Sequence, residues 1–472
     1  MGVSAAAPRP PHVPRVCARE RIAGFRQQPP PCARGPAHRP TPRWTPAKGH
    51  TMKNTDPAAN RPVLIVLGAG ERDDHAFTLQ QIASAHAVLL MDSDPPAWTW
   101  PYTVAAWSID LQDHTAVAAA VTQTARERGV AGVMTYTEHH IPLAARLAED
   151  LGLPNASASA MNVCRDKALT HRLLDEHHVP SARSYRADNE KMAVERASRL
   201  GYPVVVKPRG MSSSAGVLRA DSDNAVRRAF ETASEATTAE LDAYAIPGTL
   251  VEEYLPGPEI SVECLVLTGR DVRIVAITRK RLGPEPRFLP SGHGVAADDE
   301  LMANLQVRDV ATHAVRAVGI ALGPVQVKMR LTPRGPAVIG VNGRLGGDHL
   351  ALLVHLATGV SIPRAAAELA VGRTPDLTPT RHQCAAVQFL YLDAPGQITR
   401  QQIRAYPNAW LERFVWTAPV GASVDAPGIS TTDRVAHCVV TAPRAETCDL
   451  RLLLMEDLVT VETAPAAAAG AR

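Results

Sequence analysis

The sequence predicts an α/β protein of three domains: a parallel-sheet domain first, a mixed α+β domain in the middle and a small strand-rich unit at the end. Three observations predict it. A chain of 472 residues exceeds one ordinary core, and at roughly 150 residues per domain it divides into about three. Hydrophobic residues at 45% and charged residues at 21% are enough to bury cores while leaving a wettable surface. From Pro62 onward, short β-branched runs ending in glycine or acidic residues alternate with helical stretches, the pattern of a parallel sheet that binds ligands at the carboxyl ends of its strands.

In chain order, residues 1–60 hold repeated Pro, Arg and Ala (PRPPHVPRV, QQPPPCARGPAHRPTPRWTPAKGH) without helical or strand period. Such composition cannot bury enough surface to order itself, so a disordered tail is expected. Met52 opens a more ordinary start, and the stretch before it reads either as a start codon placed too early or as a docking arm. Residues 61–155 form the first domain, with strands at VLIVLGAG, VLLMDSD and VAGVMTYTE. Gly68 and Gly70 fit a strand-to-helix turn better than a dinucleotide loop, because a third glycine is missing and Glu71-Arg72-Asp73-Asp74 follows.

Residues 156–375 form the central domain, with a lid over about 165–255. It contains a helix at Lys167, the strand YPVVVKP, the loop RGMSSSAGV and a strand–turn–strand over Leu250–Val266. A loop with His293, a helix around Leu301–Val318 and two strands joined by a turn over Val325–Asp348 complete it. Residues 376–472, broken by Pro395-Gly396 and Pro427-Gly428, read as a small cap domain.

A net charge of +3, with much of the positive excess in the first fifty residues, gives nucleic-acid binding no support. Seven scattered cysteines without a CxxC pair read as reduced thiols. No apolar run reaches the ~18 to 20 residues of a membrane helix, so a cytoplasmic protein is expected.

The chemistry-bearing residues gather in the central domain. Lys207 projects from a strand end ahead of Pro208, where an ammonium can meet a nucleotide. The adjacent RGMSSSAGV lets backbone N–H groups and hydroxyls close over phosphate oxygens, and without a following GK[ST] it is not a Walker loop. In VEEYLPGPEISVE, Glu252 and Glu253 close one strand and Glu259 opens the next. A carboxylate there can accept two ribose hydroxyls while the strand-end backbone reads an adenine edge.

Lys167, the VVVKP strand, the SSSAG loop, EEYLPGPE and the closing NGRLGGD, in that order, resemble the ATP-grasp superfamily across residues 62 to about 440. TRKRLGPEPRFLPSGHG followed by RLTPRGPAVIGVNGRLGGD is similar to the carboxylate–amine ligases that join L-amino acids into dipeptides. The resemblance implies a three-domain ligase that uses ATP and Mg2+, forms an acyl phosphate and passes it to an amine. It implies two amino-acid substrates, such as glutamate and a non-protein amino acid, and a homodimer.

Carried over by position, Lys167 and Lys207 hold the ATP phosphates, and Ser212, Ser213, Ser214 and Gly216 form the lid. Glu252 ends the strand beside the nucleotide, Glu253 and Leu255 face adenine, and Glu259 meets the ribose. Arg344 stabilises the acyl phosphate, and Glu138, His293, Gly346 and Gly347 line the amino-acid pocket, with His293 or Glu138 available as a base.

The metal ligands depart from the pattern. Asn342 is kept, but Lys328 and Gly340 stand where the family has two glutamates, and Pro290 stands at a third acidic position. Lys328 then serves as a tethered cation, or magnesium arrives on ATP with Asp298, Asp299, Glu300 or Asp348 nearby, or catalysis is lost. The alternative to a ligase is therefore a nucleotide-binding partner protein on the same fold.

Overall fold

The apolar run that ends at the first glycines becomes β1 (Val63–Leu67), one of the two inner strands of a four-stranded parallel sheet. It is followed by α1 (Arg72–Ala83), β2 (Ala87–Asp92), β3 (Ala105–Ser108), α2 (His114–Arg128), β4 (Val130–Met134) and α3 (Ile141–Asp150). The strand order is β3-β2-β1-β4. β1 and β2 are almost fully buried because helices cover both faces of a parallel sheet, which is why their sequence is a continuous apolar run. The computed structural model describes residues 61–211, 214–236, 246–268, 271–404, 409–424 and 431–465. The expected tail over residues 1–60 and the lid serines Ser212 and Ser213 lie outside the described residues.

Gly68 and Gly70 make the expected strand-to-helix turn. Both have positive φ (74° and 65°), and a Cβ at Gly68 would come within 2.8 Å of the His140 ring, so only glycine fits. Asp73 and Asp74 occupy the first turn of α1 and disfavour an anion at that helix end.

Next come α4 (Ala158–Arg165) and α5 (Lys167–Glu176). Asp166 caps α5 by accepting from the Ala168 and Leu169 N–H groups, and Arg209 Nε donates to the same carboxylate at 2.7 Å. The cap thus ties the start of α5 to the loop after a strand of the next sheet. That sheet contains β5 (Ser184–Ala187), β6 (Val204–Pro208), β7 (Leu218–Ala220) and β8 (Thr249–Glu253), with α6 (Glu190–Leu200) and α7 (Asp223–Glu235) between them in sequence. Its order is β5-β8-β6-β7, and its inner face packs on both helices.

The largest sheet has eight strands. Its members are β9 (Glu259–Thr268), β10 (Asp271–Leu282), β11 (Pro290–Ala296), β12 (Gly323–Thr332), β13 (Gly335–Asn342), β14 (Cys384–Leu390), β16 (Leu411–Trp416) and β18 (Ala436–Ala442). The helices α8 (Leu305–Ala317), α9 (Leu350–Thr358), α10 (Ile362–Ala370) and α11 (Ala445–Leu458) belong to the same part of the chain. A three-stranded sheet of β15 (Gly396–Ile403), β17 (Ser423–Val424) and β19 (Val459–Ala464) completes the described residues.

Along β9 and β12 the side chains alternate strictly. Ile260, Val262, Cys264, Val325, Val327 and Met329 enter a core with α4, α5 and α8, while Glu259, Ser261, Glu263, Gln326, Lys328 and Arg330 take the opposite face. In register, Glu263 faces Gln326, Ser261 faces Lys328, Glu259 faces Arg330, Gln326 faces Asn342 and Lys328 faces Gly340. One sheet face is therefore a polar floor.

Three placements differ from the simple reading of the sequence. His293 sits inside β11 rather than in a loop, because β11 pairs on one side with β10, with His293 opposite Lys280, and on the other with β14, with His293 opposite Val387. The segment over Leu250–Val266 is not one hairpin: β8 and β9 belong to different sheets, and Pro256-Gly257-Pro258 carries the chain across. Gly257 has φ 116°, and a Cβ there would fall 2.1 Å from the Leu331 carbonyl oxygen. Finally, β14, β18 and β16 continue the eight-stranded sheet through β11, so much of the chain after residue 376 extends the central sheet. Among the described residues no single helix is long and apolar enough to cross a membrane.

Candidate active site

The polar floor of β9, β12 and β13 and the inner strands of the antiparallel sheet β5-β8-β6-β7 enclose a cavity. Its upper wall is β6 and β8, which supply Lys207, Glu252 and Glu253, and its far end is closed by Glu138, from the turn before α3, and by Arg344. The structure brings together Lys167, Lys207, Ser214, Glu252, Glu253, Leu255, Glu259, Lys328, Asn342, Arg344 and Glu138. These residues come from every part of the chain between 138 and 344.

Lysines dominate the middle. Lys167 reaches in from the first turn of α5 and donates to the Met211 carbonyl. Burial, reinforced by the neighbouring charge of Lys207, pushes its ammonium down to about 7. Lys207 is buried and lies 2.6 Å from Glu252, with a longer contact of 3.4 Å to the Ile339 carbonyl. Glu252 also accepts from Ser184 Oγ at 3.0 Å and lies 3.1 Å from His171 Nε2. Burial alone would raise its pKa, but His171 and Lys207 outweigh that and hold the carboxyl well below its usual range.

Lys328 is half-buried on the floor and makes no ion pair or hydrogen bond among the described residues. Burial, then Lys280 and Arg344, push it down to about 8.

At the far end Glu138 stands between two guanidinium groups. Arg165 donates to it at 2.6 Å and Arg344 Nε donates to its other oxygen. Despite burial, Arg344 and Arg165 keep this carboxyl well below the normal range, so it is a fixed anion. Arg344 also donates to the Leu345 carbonyl at 2.8 Å.

At the other end the lining turns apolar. Val205, Met211, Val217, Leu255, Phe288 and Ile339 form a slot suited to a flat aromatic group. Glu253 borders it, held by Arg183 at 3.1 Å and Arg334 at 2.6 Å. Glu259, on the floor below, is 3.1 Å from Lys280 and 3.5 Å from Arg330.

Some expected residues are placed elsewhere. His293 does not line this cavity. It is 1% exposed, with Nε2 3.4 Å from Asp348 and its ring edge-on to Phe389 at 5.7 Å. Burial lowers its pKa even though Asp348 works the other way. Asp348 is claimed by Arg434 at 2.7 Å, whose guanidinium lies 3.6 Å over the Phe389 ring. Gly346 lies against the Gln326 and Glu263 end of the floor, where a Cβ would meet Gln326 Nε2 at 2.7 Å, and neither it nor Gly347 is in the lining. Gly216 has φ 67° and abuts Ala236 and Pro208, shaping the lid loop rather than facing the cavity. Arg165, His171, Lys280 and Arg330 were missed by sequence reasoning; the strict alternation of VQVKMRL would have placed Arg330 beside Lys328.

A divalent metal is a poor fit. Magnesium takes near-octahedral oxygen ligands, ordinarily with a carboxylate or two. Here Lys328 and Gly340 face each other in register, and Asn342 Nδ2 donates to Gln326 Oε1 at 3.1 Å. Among the described residues no cluster of three His, Cys, Asp or Glu could hold a metal. The suggested substitutes are engaged elsewhere: Asp299 and Glu300 with Arg279 and Asp348 with Arg434. None of these three, nor Asp298, lines the cavity.

A parallel-sheet domain followed by two sheets that close on a cation-rich cavity defines a grasp-type α/β protein. Residues 84–155 match the family model of the ATP-grasp N-terminal domain and residues 200–351 that of the ATP-grasp domain. The chain resembles the carboxylate–amine ligases of that superfamily. An L-amino acid ligase from Bacillus licheniformis shares the fold, with a TM-score of 0.71 and 20% identity, over 85% of this chain and 98% of that one. Carnosine synthase 1 of Homo sapiens is 27% identical over 316 residues, 62% of this chain and 37% of the relative. A D-alanine–D-alanine ligase of Gloeobacter violaceus is 31% identical over 204 residues, 41% of this chain and 63% of the relative. The chain thus spans under two thirds of the length of these two relatives.

Proposed function

We propose that this protein is an ATP-dependent ligase that joins the carboxylate of one amino acid to the amine of another. The observation that carries the reading is the pairing of Arg344 with Glu138 at the end of a lysine-lined cavity. A guanidinium fork fits a carboxylate, and a carboxylate fixed as an anion fits an ammonium. An amino acid carries both groups. The apolar slot around Leu255 and Phe288 suits adenine, and the lysines between the two ends suit its phosphates.

In this reading a carboxylate oxygen attacks the γ-phosphorus of ATP, the bond to the β-phosphate oxygen breaks, and acyl phosphate and ADP form. The amine nitrogen of the second substrate then attacks the acyl carbon and loses a proton, and inorganic phosphate leaves. Lys167 and Lys207 hold phosphate oxygens and Arg344 stabilises the charge that develops on the acyl group. The segment around Ser214 covers the phosphates and keeps water from the acyl phosphate. Assembly as a homodimer belongs to the same proposal and is read by sedimentation.

A second reading, nucleotide binding without turnover, is favoured by one observation: Lys328 and Gly340 occupy the two expected glutamate positions. Phosphate release with ATP, measured across pairs of amino acids that include glutamate and unusual side chains, with mass spectrometry of the product, tells them apart. Release that needs two amino acids and yields a new amide mass supports the ligase. Binding of ATP without release across the panel overturns it.

A further inference from the structure

Among the described residues four carboxylates and six permanent or lysine cations line the cavity, and their pairing determines what it can accept. Every carboxylate is already engaged: Glu138 by Arg165 and Arg344, Glu252 by Lys207, Glu253 by Arg183 and Arg334, and Glu259 by Lys280 and Arg330. Among the described residues no lining carboxylate is left over for a metal. Two cations are left over instead. Among the described residues Lys167 gives its ammonium only to a carbonyl, and Lys328 makes no ion pair or hydrogen bond, Glu259 and Glu138 acting on it only from a distance and offsetting part of the effect of burial. An ammonium withdrawn from water without a direct counter-ion contact is costly, and a divalent cation placed beside Lys328 would add like-charge repulsion. A polyphosphate removes both costs at once.

Gly340 adds a second, geometric observation. It is the register partner of Lys328 on β13, and a Cβ there would meet nothing within 4 Å. Cross-strand partners have side chains about 5 Å apart, so a glycine at this position leaves open space directly beside the ammonium. That space and that charge together are the shape of an anion site.

We propose, building on the nucleotide site assigned above, that this cavity binds the triphosphate of ATP without a divalent cation, Lys328 supplying the positive charge from the floor of the site. The metal-free nucleotide is then the ligand, and magnesium is dispensable for binding.

The test is calorimetric titration of ATP into the full-length protein, in EDTA and in excess magnesium. Affinity in EDTA is expected to match that in magnesium within about threefold. Lys328→Met is expected to weaken binding in EDTA by about 10- to 100-fold, and Lys328→Arg to keep it; Lys328→Gln serves should Lys328→Met fail to fold. The double variant Lys328→Glu/Gly340→Glu is expected to bind ATP only when magnesium is present. Wild-type binding that requires magnesium overturns this inference and leaves the nucleotide site standing. No binding in either condition overturns both. Metal-free binding unchanged in Lys328→Met overturns the role given to Lys328.

Discussion

The two walls of the cavity treat their lysines in opposite ways. On β6, Lys207 has Leu250 as its register partner on the neighbouring strand β8 but pairs diagonally with a carboxylate of that strand, Glu252 at 2.6 Å. On β12, Lys328 faces a glycine from the neighbouring strand β13. Both are lysines on strands of antiparallel sheets, and both border the same cavity. The first is neutralised before any ligand arrives, so it belongs to the structure as much as to the site. The second keeps its charge for whatever enters. A lysine's type and strand position therefore do not fix its role; a carboxylate within its reach on the neighbouring strand does.

The largest expected consequence is on stability. Lys207→Met leaves Glu252 buried with only a hydroxyl and His171 nearby. Removing one partner of a buried ion pair typically costs about 3–5 kcal/mol, and urea denaturation would read it. Lys328→Met removes an unpaired cation and is expected to leave stability unchanged or raised. A Lys207→Met loss under about 1 kcal/mol, in the range of an exposed pair, would erase the contrast between the walls.

Next is chemistry. Arg344→Ala is expected to lower amino-acid-dependent ADP release by about 10²- to 10³-fold, the usual effect of deleting a group that stabilises developing charge, while ATP affinity stays nearly constant. Glu138 keeps Arg165 in that variant, so the local fold is retained. Normal turnover would remove Arg344 from the mechanism and leave the far end of the cavity without an assigned role.

A smaller effect follows from the two unpaired lysines. Lys167 is pushed to about 7 and Lys328 to about 8, mainly by burial, from the ordinary lysine value of 10.5. Between those values and 10.5 the unfolded chain holds more protons than the folded one, so stability of the free protein rises with pH across that window. Phosphate oxygens restore the charged forms, so ATP binding at pH 8 is expected to take up roughly one proton. Calorimetry in buffers of different ionisation enthalpy measures it. Uptake near zero would mean that these ammonium groups do not meet the phosphates.

The sequence reading reached the strands that are continuous apolar runs, β1, β2, β4 and β6, because full burial leaves a local signature. It reached most of the cavity for the same kind of reason: Lys207, Glu252 and Glu259 stand at the ends of such runs. Partners were beyond its reach. Arg344 and Glu138 are 206 residues apart, and only the closing of the sheets joins them. β3 and β5 have four residues each and carry no period long enough to read. The His293 strand was hidden because glycines on both sides lower its β-propensity, and pairing with β10 and β14 overrides that local preference.

The smallest expected effect comes from making the floor resemble the upper wall. Gly340 has open space at its Cβ position and no positive φ, so Gly340→Glu introduces no strain of the kind that would unfold β13. Its carboxylate would sit opposite Lys328 and pair with it, as Glu252 pairs with Lys207. Melting temperature is then expected to stay level or rise slightly, the usual scale of a cross-strand charge pair being about 0.2–1 kcal/mol. Affinity for metal-free ATP should fall at the same time by about tenfold, because one charge-assisted contact is lost to the new pair. Titration and melting on the one variant separate the two effects. A fall in melting temperature without a change in affinity would show that Lys328 is already satisfied in the free protein, and that the two walls are alike after all.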